Sequence, residues 1–167
     1  MSAQEQQWFE ALTKDRAESA HMLEKPSMRG VQRSVVDKYS DQAHFIYELL
    51  QNTDDAKATT AEFRLGKNGL YFTHNGSIRF TVSDPENEEA DTSNGTLGHI
   101  NAITSIANSN KTEASIGKFG VGFKAVFQYT QTPHIYDPEI WFKIERFIVP
   151  YMLETDLDWR KPSETVF

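Results

Sequence analysis

Two short segments carry residue types that can do chemistry together. In Glu48-Leu-Leu-Gln-Asn52-Thr-Asp-Asp55-Ala56 an acid, an amide and a second acid recur three to four residues apart, the spacing that puts them on one side of a helix. Further on, Gly117-Lys118-Phe119-Gly120-Val121-Gly122-Phe123 is a glycine loop running into another helix. A carboxylate such as Glu48 can take a proton from an attacking water. The Asn52 carbonyl is a hard oxygen of the kind magnesium accepts alongside phosphate oxygens and waters. Gly117, Gly120 and Gly122 remove Cβ clashes, so backbone N–H groups can converge on phosphates at the positive end of the following helix, and Lys118 adds a point charge. Together the segments describe an ATP site. Alone, the first is an ordinary solvated helix flank, and the second a helix start packed on a sheet.

The glycine loop departs from both common phosphate-binding patterns. A Walker loop ends in Gly-Lys-Ser/Thr, whereas Gly122 is followed by Phe123 and Lys124. A dinucleotide fingerprint needs Gly-x-Gly-x-x-Gly after a parallel strand, which is absent here.

The elements that must position these segments follow from periodicity. Gln4 to Leu23 repeats apolar residues (Trp8, Leu12, Ala20, Leu23) at helical spacing until Lys25-Pro26. A second helix, capped by Ser40 or Asp41, runs to about Ala56 and carries the acid and amide residues at the rim of its buried face. Thr60 to Leu65 and Leu70 to Thr73 alternate around Lys67-Asn68-Gly69, which predicts a β-hairpin. The acidic, apolar-poor stretch Asp84 to Asn94 reads as a mobile loop. Leu97 to Ile106 is a short helix, Phe119 to Tyr129 another, and strands are expected at Pro133 to Tyr136, Ile140 to Val149 and Thr165 onward. Helices segregated from mostly antiparallel strands give an α+β class, a two-layer sandwich with a mixed sheet and helices on one face.

Composition removes several function classes. The chain has 167 residues, 38% of them hydrophobic, which suits a single domain over 1–167 with a peripheral N-terminal segment 1–39 and a core 40–167. A formal net charge of -7 repels a phosphodiester backbone, so no nucleic-acid partner is expected. With no cysteine there is no disulfide framework, thiolate metal site or thiol nucleophile. His44, His74, His99 and His134 lack the spacing of a metal cluster. No signal peptide or membrane span is legible near Met1, so a cytoplasmic protein with no membrane partner is expected. Ser163-Glu-Thr-Val-Phe167 reads as a strand just beginning, which implies truncation inside a larger protein and partner domains downstream.

The acidic helix and the segment Ile116 to Phe123 resemble the motifs of the GHKL superfamily, the Bergerat fold shared by ninety-kilodalton heat-shock chaperones, type II topoisomerases, mismatch-repair ATPases and sensor histidine kinases. The nearest likeness is to the chaperone-like ATP-binding modules of sacsin and related large bacterial proteins, over about Val35 to Tyr136. The resemblance implies that Glu48 polarises the attacking water, Asn52 coordinates magnesium, and Asp55 and Ala56 lie beside the nucleotide. Gly117, Lys118, Phe119, Gly120, Val121, Gly122 and Phe123 would grip the phosphates. It places Asn75-Gly76 where the superfamily has an Asp-x-Gly box, so that the Asn75 carbonyl would accept from the adenine amino group in place of a carboxylate. Ser109 and Lys111 fall in the polar loop before the family's lid, and Thr165 matches a threonine on a late strand near adenine.

The expectation is thus magnesium-dependent ATP binding with slow hydrolysis, in which loops from Asp84 to Ser115 close over nucleotide and report its γ-phosphate to a larger chaperone-like or regulatory protein. By resemblance, ATP would drive lid closure and homodimerisation with the N-terminal segment as an exchange element, ATP and ADP being the small-molecule partners, and hydrolysis would reverse the closure. The alternatives are a non-hydrolysing nucleotide sensor or interaction module, and a histidine-kinase catalytic domain. The kinase fits less well, because Glu48 suits water activation and no phosphoacceptor helix precedes Ser40.

Overall fold

The computed structural model describes residues 1–28, 30–31, 33–34, 44–67, 69–106 and 122–167, with the backbone alone at residue 44. Helix α1, Ala3–Leu23, begins with a capping box: Ser2 Oγ accepts from the Glu5 N–H at 3.2 Å, and the Ser2 N–H donates to Glu5 Oε2 at 2.6 Å. Phe9, Leu12, Arg16, Ala20 and Leu23 form its buried stripe, which takes in the expected Leu12, Ala20 and Leu23, while Trp8 is partly buried at its edge. Helix α2, His44–Asp55, buries Leu49, Asn52 and Thr53, and Ala56 at its exit completes the i, i+3, i+4, i+7 pattern. The start expected near Ser40 lies outside the described residues.

The hairpin forms as the alternation predicts, with β1 at Ala61–Leu65 and β2 at Leu70–His74 in antiparallel register, Phe63 opposite Phe72. After it, the stretch expected to be a mobile loop is ordered instead. Asp84 accepts from the Glu86 N–H, Pro85 starts a 3-10 turn over Pro85–Asn87, and α3 follows at Glu88–Asn94. Glu88, Glu89 and Asp91 lie in its first turn, where the helix dipole favours anions, and Gly95 closes it with φ 71°. Capping and dipole chemistry outweigh the lack of apolar residues.

Helix α4 spans His99–Thr104, and a 3-10 segment spans Gly122–Gln128 where a helix from Phe119 was expected. Strand β3 is His134–Tyr136. The single strand expected over Ile140 to Val149 is two strands, β4 at Trp141–Glu145 and β5 at Val149–Met152, paired antiparallel with Glu145 opposite Val149. Arg146 and Phe147 make the reversal at φ 49° and 74°, left-handed conformations reached without glycine.

Strand β6, Thr165–Val166, completes a six-stranded sheet in the order β1-β2-β6-β3-β4-β5, antiparallel at every described pairing rather than mixed. The last strand in sequence therefore lies in the middle of the sheet. Reciprocal bonds between Phe72 and Phe167, 2.9 and 2.8 Å, extend its pairing with β2. The core lies between the sheet and the helices: Phe9 and Leu12 of α1 and Ile100 and Ile103 of α4 pack with Phe123 on Ile135, Phe142 and Ile144. The architecture is a two-layer α+β sandwich.

Candidate functional site

Helix α2 meets the rest of the site at two points. At its exit, Ser77 N–H donates to the Ala56 carbonyl at 2.9 Å, and Gly76 lies so close that an added Cβ would stand 2.7 Å from the Ala56 Cβ and 2.9 Å from its carbonyl oxygen. Only small residues at 56 and 76 allow the β2 exit to approach the helix this way. About two turns earlier, Glu48 is half-buried and lies against Gly122, where a Cβ would stand 1.7 Å from Oε2. The acid of the first segment and the third glycine of the second, distant in sequence, thus touch.

Between these contacts Asn52 is buried, and its Nδ2 has no hydrogen-bond partner among the described residues. An unpaired buried amide costs free energy, on the order of 1–3 kcal/mol. An Nδ2 group left in that state can donate to an anionic ligand such as a phosphate oxygen, whereas the carbonyl oxygen of the same side chain is the atom that magnesium accepts. Asp55, one turn on from Asn52 along α2, is exposed. Phe123 is a core residue, 6.0 Å in ring centroids from Phe167. Ser109, Lys111, Gly117, Lys118, Phe119, Gly120 and Val121 lie outside the described residues.

The residue that β2 turns inward at its end is His74, not Asn75. Alternation buries Phe72 and His74 and leaves Asn75 exposed. The Asn75 carboxamide is committed to the turn before β1: Oδ1 accepts from the Thr59 and Thr60 N–H groups at 2.9 and 3.0 Å, and Nδ2 donates to Thr59 Oγ1 at 2.9 Å. His74 Nδ1 accepts from the Gly76 N–H at 3.0 Å, and burial, with Arg79 nearby, lowers its pKa to about 4. Its cross-strand partner is Thr165, also buried.

Sequence reasoning also passed over Asp137 and Lys124. Asp137 is fully buried and accepts from the Glu139 N–H at 3.1 Å, the Thr165 hydroxyl at 3.3 Å and the Phe80 N–H at 3.4 Å. Burial raises its pKa, and these donors and Arg79 oppose the rise. The side chain thereby joins β3, β6 and the chain after β2. Lys124 is fully buried, donates from Nζ to the Phe147 carbonyl at 2.8 Å and sits 4.6 Å from the Phe147 ring centroid. Burial pushes its pKa well down, with Arg16 adding to the effect, so it ties the 3-10 segment to the β4–β5 turn. Neither role has a local signal, since every partner but one is remote in sequence.

A cavity of about 460 Å³ separates α2 and the 3-10 segment from the sheet, walled by Phe45, Leu49, Phe72, Phe123, Tyr136 and Phe167 among others. Phe72 and Phe167 are also the rings that flank His74, at 6.1 and 5.9 Å between centroids. Among the described residues no helix is long and apolar enough to cross a membrane.

A family model described as the Sacsin domain matches residues 26–142, which takes in α2, the hairpin, α3, α4, the glycine segment and β3. Protein NO VEIN of Arabidopsis thaliana is 33% identical over 124 residues, 70% of this chain and 4% of that protein. The chain thus spans about 4% of the length of the curated relative it matches. No solved structure matches.

Proposed function

The chain belongs to the Sacsin domain family, and from that premise we propose that it binds ATP with magnesium between α2 and the Gly122–Gln128 segment and hydrolyses it slowly, as the GHKL resemblance implies. The observation that carries the reading is the contact of Glu48 with Gly122, which brings the acid and the phosphate-loop glycine to one place. Glu48 holds its carboxylate where the last phosphate would enter and takes the proton of the attacking water. Asn52 would hold magnesium through its carbonyl oxygen while its Nδ2 donates to a phosphate oxygen, and the metal would supply neutralisation of charge on the phosphate oxygens. Gly76 and Ala56 keep the β2 exit close to α2, so that the sheet supplies the wall for the base. Closure of the residues around the site in response to the γ-phosphate would pass the state of the nucleotide to neighbouring domains or to a second copy of the chain.

Calorimetric titration with ATP and magnesium, run beside a phosphate-release assay, tests this. Glu48→Ala should keep affinity within about threefold and lower turnover by about a hundredfold or more, the loss expected for a general base. Turnover unchanged in that variant removes Glu48 from the role. Binding without phosphate release by the unsubstituted chain would make the domain a nucleotide sensor, and absence of binding would end the reading.

A further inference from the structure

We propose that His74 reads the base of the bound nucleotide as a hydrogen-bond donor, through Nε2–H, so that the site accepts a 6-oxopurine nucleotide as readily as an adenine nucleotide. This rests on the nucleotide reading above and adds the specificity of the base site.

The His74 ring carries a proton whose position its neighbours fix. The Gly76 backbone N–H, 3.0 Å from His74 Nδ1, can only donate, so Nδ1 must present its lone pair. In the neutral ring the proton is then on Nε2. Burial holds the ring neutral, with its pKa at about 4. Among the described residues Nε2 has no hydrogen-bond partner, so its N–H is available to a ligand.

The same logic fixes Thr165, which faces His74 across the β2–β6 pairing. Its hydroxyl donates to Asp137 Oδ2 at 3.3 Å, which leaves Oγ1 only lone pairs to offer. Two cross-strand neighbours on one face therefore present one donor and one acceptor. A carboxylate at position 74 would offer acceptors alone and require an exocyclic amino group on the base. The pair present here matches the adjacent O6 and N1–H of an oxopurine, the oxygen to His74 and the N–H to Thr165. It also accepts the N1 and N6 amino group of adenine with the two contacts exchanged. The Phe72 and Phe167 rings beside His74, which also wall the cavity, supply the apolar surface against which a planar base stacks.

Competition titrations of the full 167-residue chain with ATP, inosine triphosphate and GTP in magnesium test the proposal. ATP and inosine triphosphate should bind within about threefold of each other, and His74→Asp should restore a preference for ATP of about tenfold or more, the discrimination a buried polar mismatch gives. A preference for ATP of about tenfold in the unsubstituted chain overturns the base reading and leaves the nucleotide reading standing. Failure of every triphosphate to bind overturns both. Nitrogen-15 NMR of labelled histidine reads the tautomer without any substitution. A His74 resonance pattern with the proton on Nε2 supports the proposal, and one with the proton on Nδ1 overturns it.

Discussion

The Glu48 carboxylate occupies the space that a side chain at Gly122 would need: an added Cβ would stand 1.7 Å from Oε2, 2.0 Å from Cδ and 2.7 Å from Oε1. The atoms met are the far end of a side chain, not backbone, so the fold can accommodate a methyl group by moving Glu48. Gly122→Ala should therefore cost less than about 1 kcal/mol in denaturant unfolding. It should still lower ATP turnover by about tenfold or more, because the displaced carboxylate no longer faces its water. Unchanged turnover would show that this contact does not position the acid.

Asn52 offers the opposite trade. Leucine has nearly the same shape and no amide to leave unpaired at this buried position. Asn52→Leu should stabilise the ligand-free chain by about 1 kcal/mol, since the buried donor lacking a partner is removed. Magnesium-dependent nucleotide affinity should fall by about tenfold or more in the same variant. A variant that is destabilised would mean that the amide is already satisfied, and the case for a ligand there would fail.

How much of this was legible before folding depends on where the deciding partner lies. The β1–β2 hairpin has its whole signal in the alternation around Lys67 to Gly69, and it forms as expected. The β4–β5 turn has none, because Arg146 and Phe147 adopt positive φ without a glycine, held in part by Lys124 on the Phe147 carbonyl. Between Asp84 and Asn94 composition pointed to a loop, while the local code of cap, proline and first-turn acids pointed to the helix that forms. At the site, helical spacing aligns Glu48, Asn52 and Asp55, and packing grades them from buried Asn52 through half-buried Glu48 to exposed Asp55. Asn75 looked like the recognition residue by type. Strand alternation and the pull of Thr59 and Thr60 make it a turn residue instead.

The depressed pKa of His74 carries a stability prediction with a definite sign. Above 6.5 the ring is neutral in both folded and unfolded chains, and the native state bears no protonation penalty from it. As pH falls from 6.5 toward 4 the unfolded chain takes up a proton that the folded chain refuses, so stability is lost across that window. The loss attributable to His74 is about 2 kcal/mol, less than the full shift because Nε2 retains some access to water. His99 and His134, also lowered by burial, act in the same direction, whereas the raised carboxyl of Asp137 acts against them. Urea unfolding of the unsubstituted chain and of His74→Phe at both ends of the window isolates the term. The variant should lose less stability by about that amount, and parallel curves would show that the ring titrates normally.

Arg160 holds the end of the chain in the centre of the sheet. It is buried, with Nε donating to Asp156 Oδ1 at 2.7 Å, Nη2 paired with the other carboxylate oxygen, and Nη1 donating to the Glu164 carbonyl at 2.7 Å. Asp156 is held below the usual carboxylate range by this pairing, as expected for a forked contact. Because Glu164 leads directly into Thr165 and Val166, the guanidinium fixes the approach of β6, and through Thr165 the face on which His74 stands. Asp156 is only half-buried, so water partly compensates the carboxylate left behind, and Arg160→Ala should lose about 2 kcal/mol. Arg160→Lys should recover only part of it, since an ammonium cannot span both Asp156 oxygens and the carbonyl at once. Hydrogen exchange locates the damage. Protection of the Phe72 and Phe167 amides, which bond each other's carbonyls, should fall by about tenfold or more in Arg160→Ala while the β4–β5 amides keep theirs. Equal loss throughout the sheet would make Arg160 a contributor to global stability alone, with no particular hold on β6.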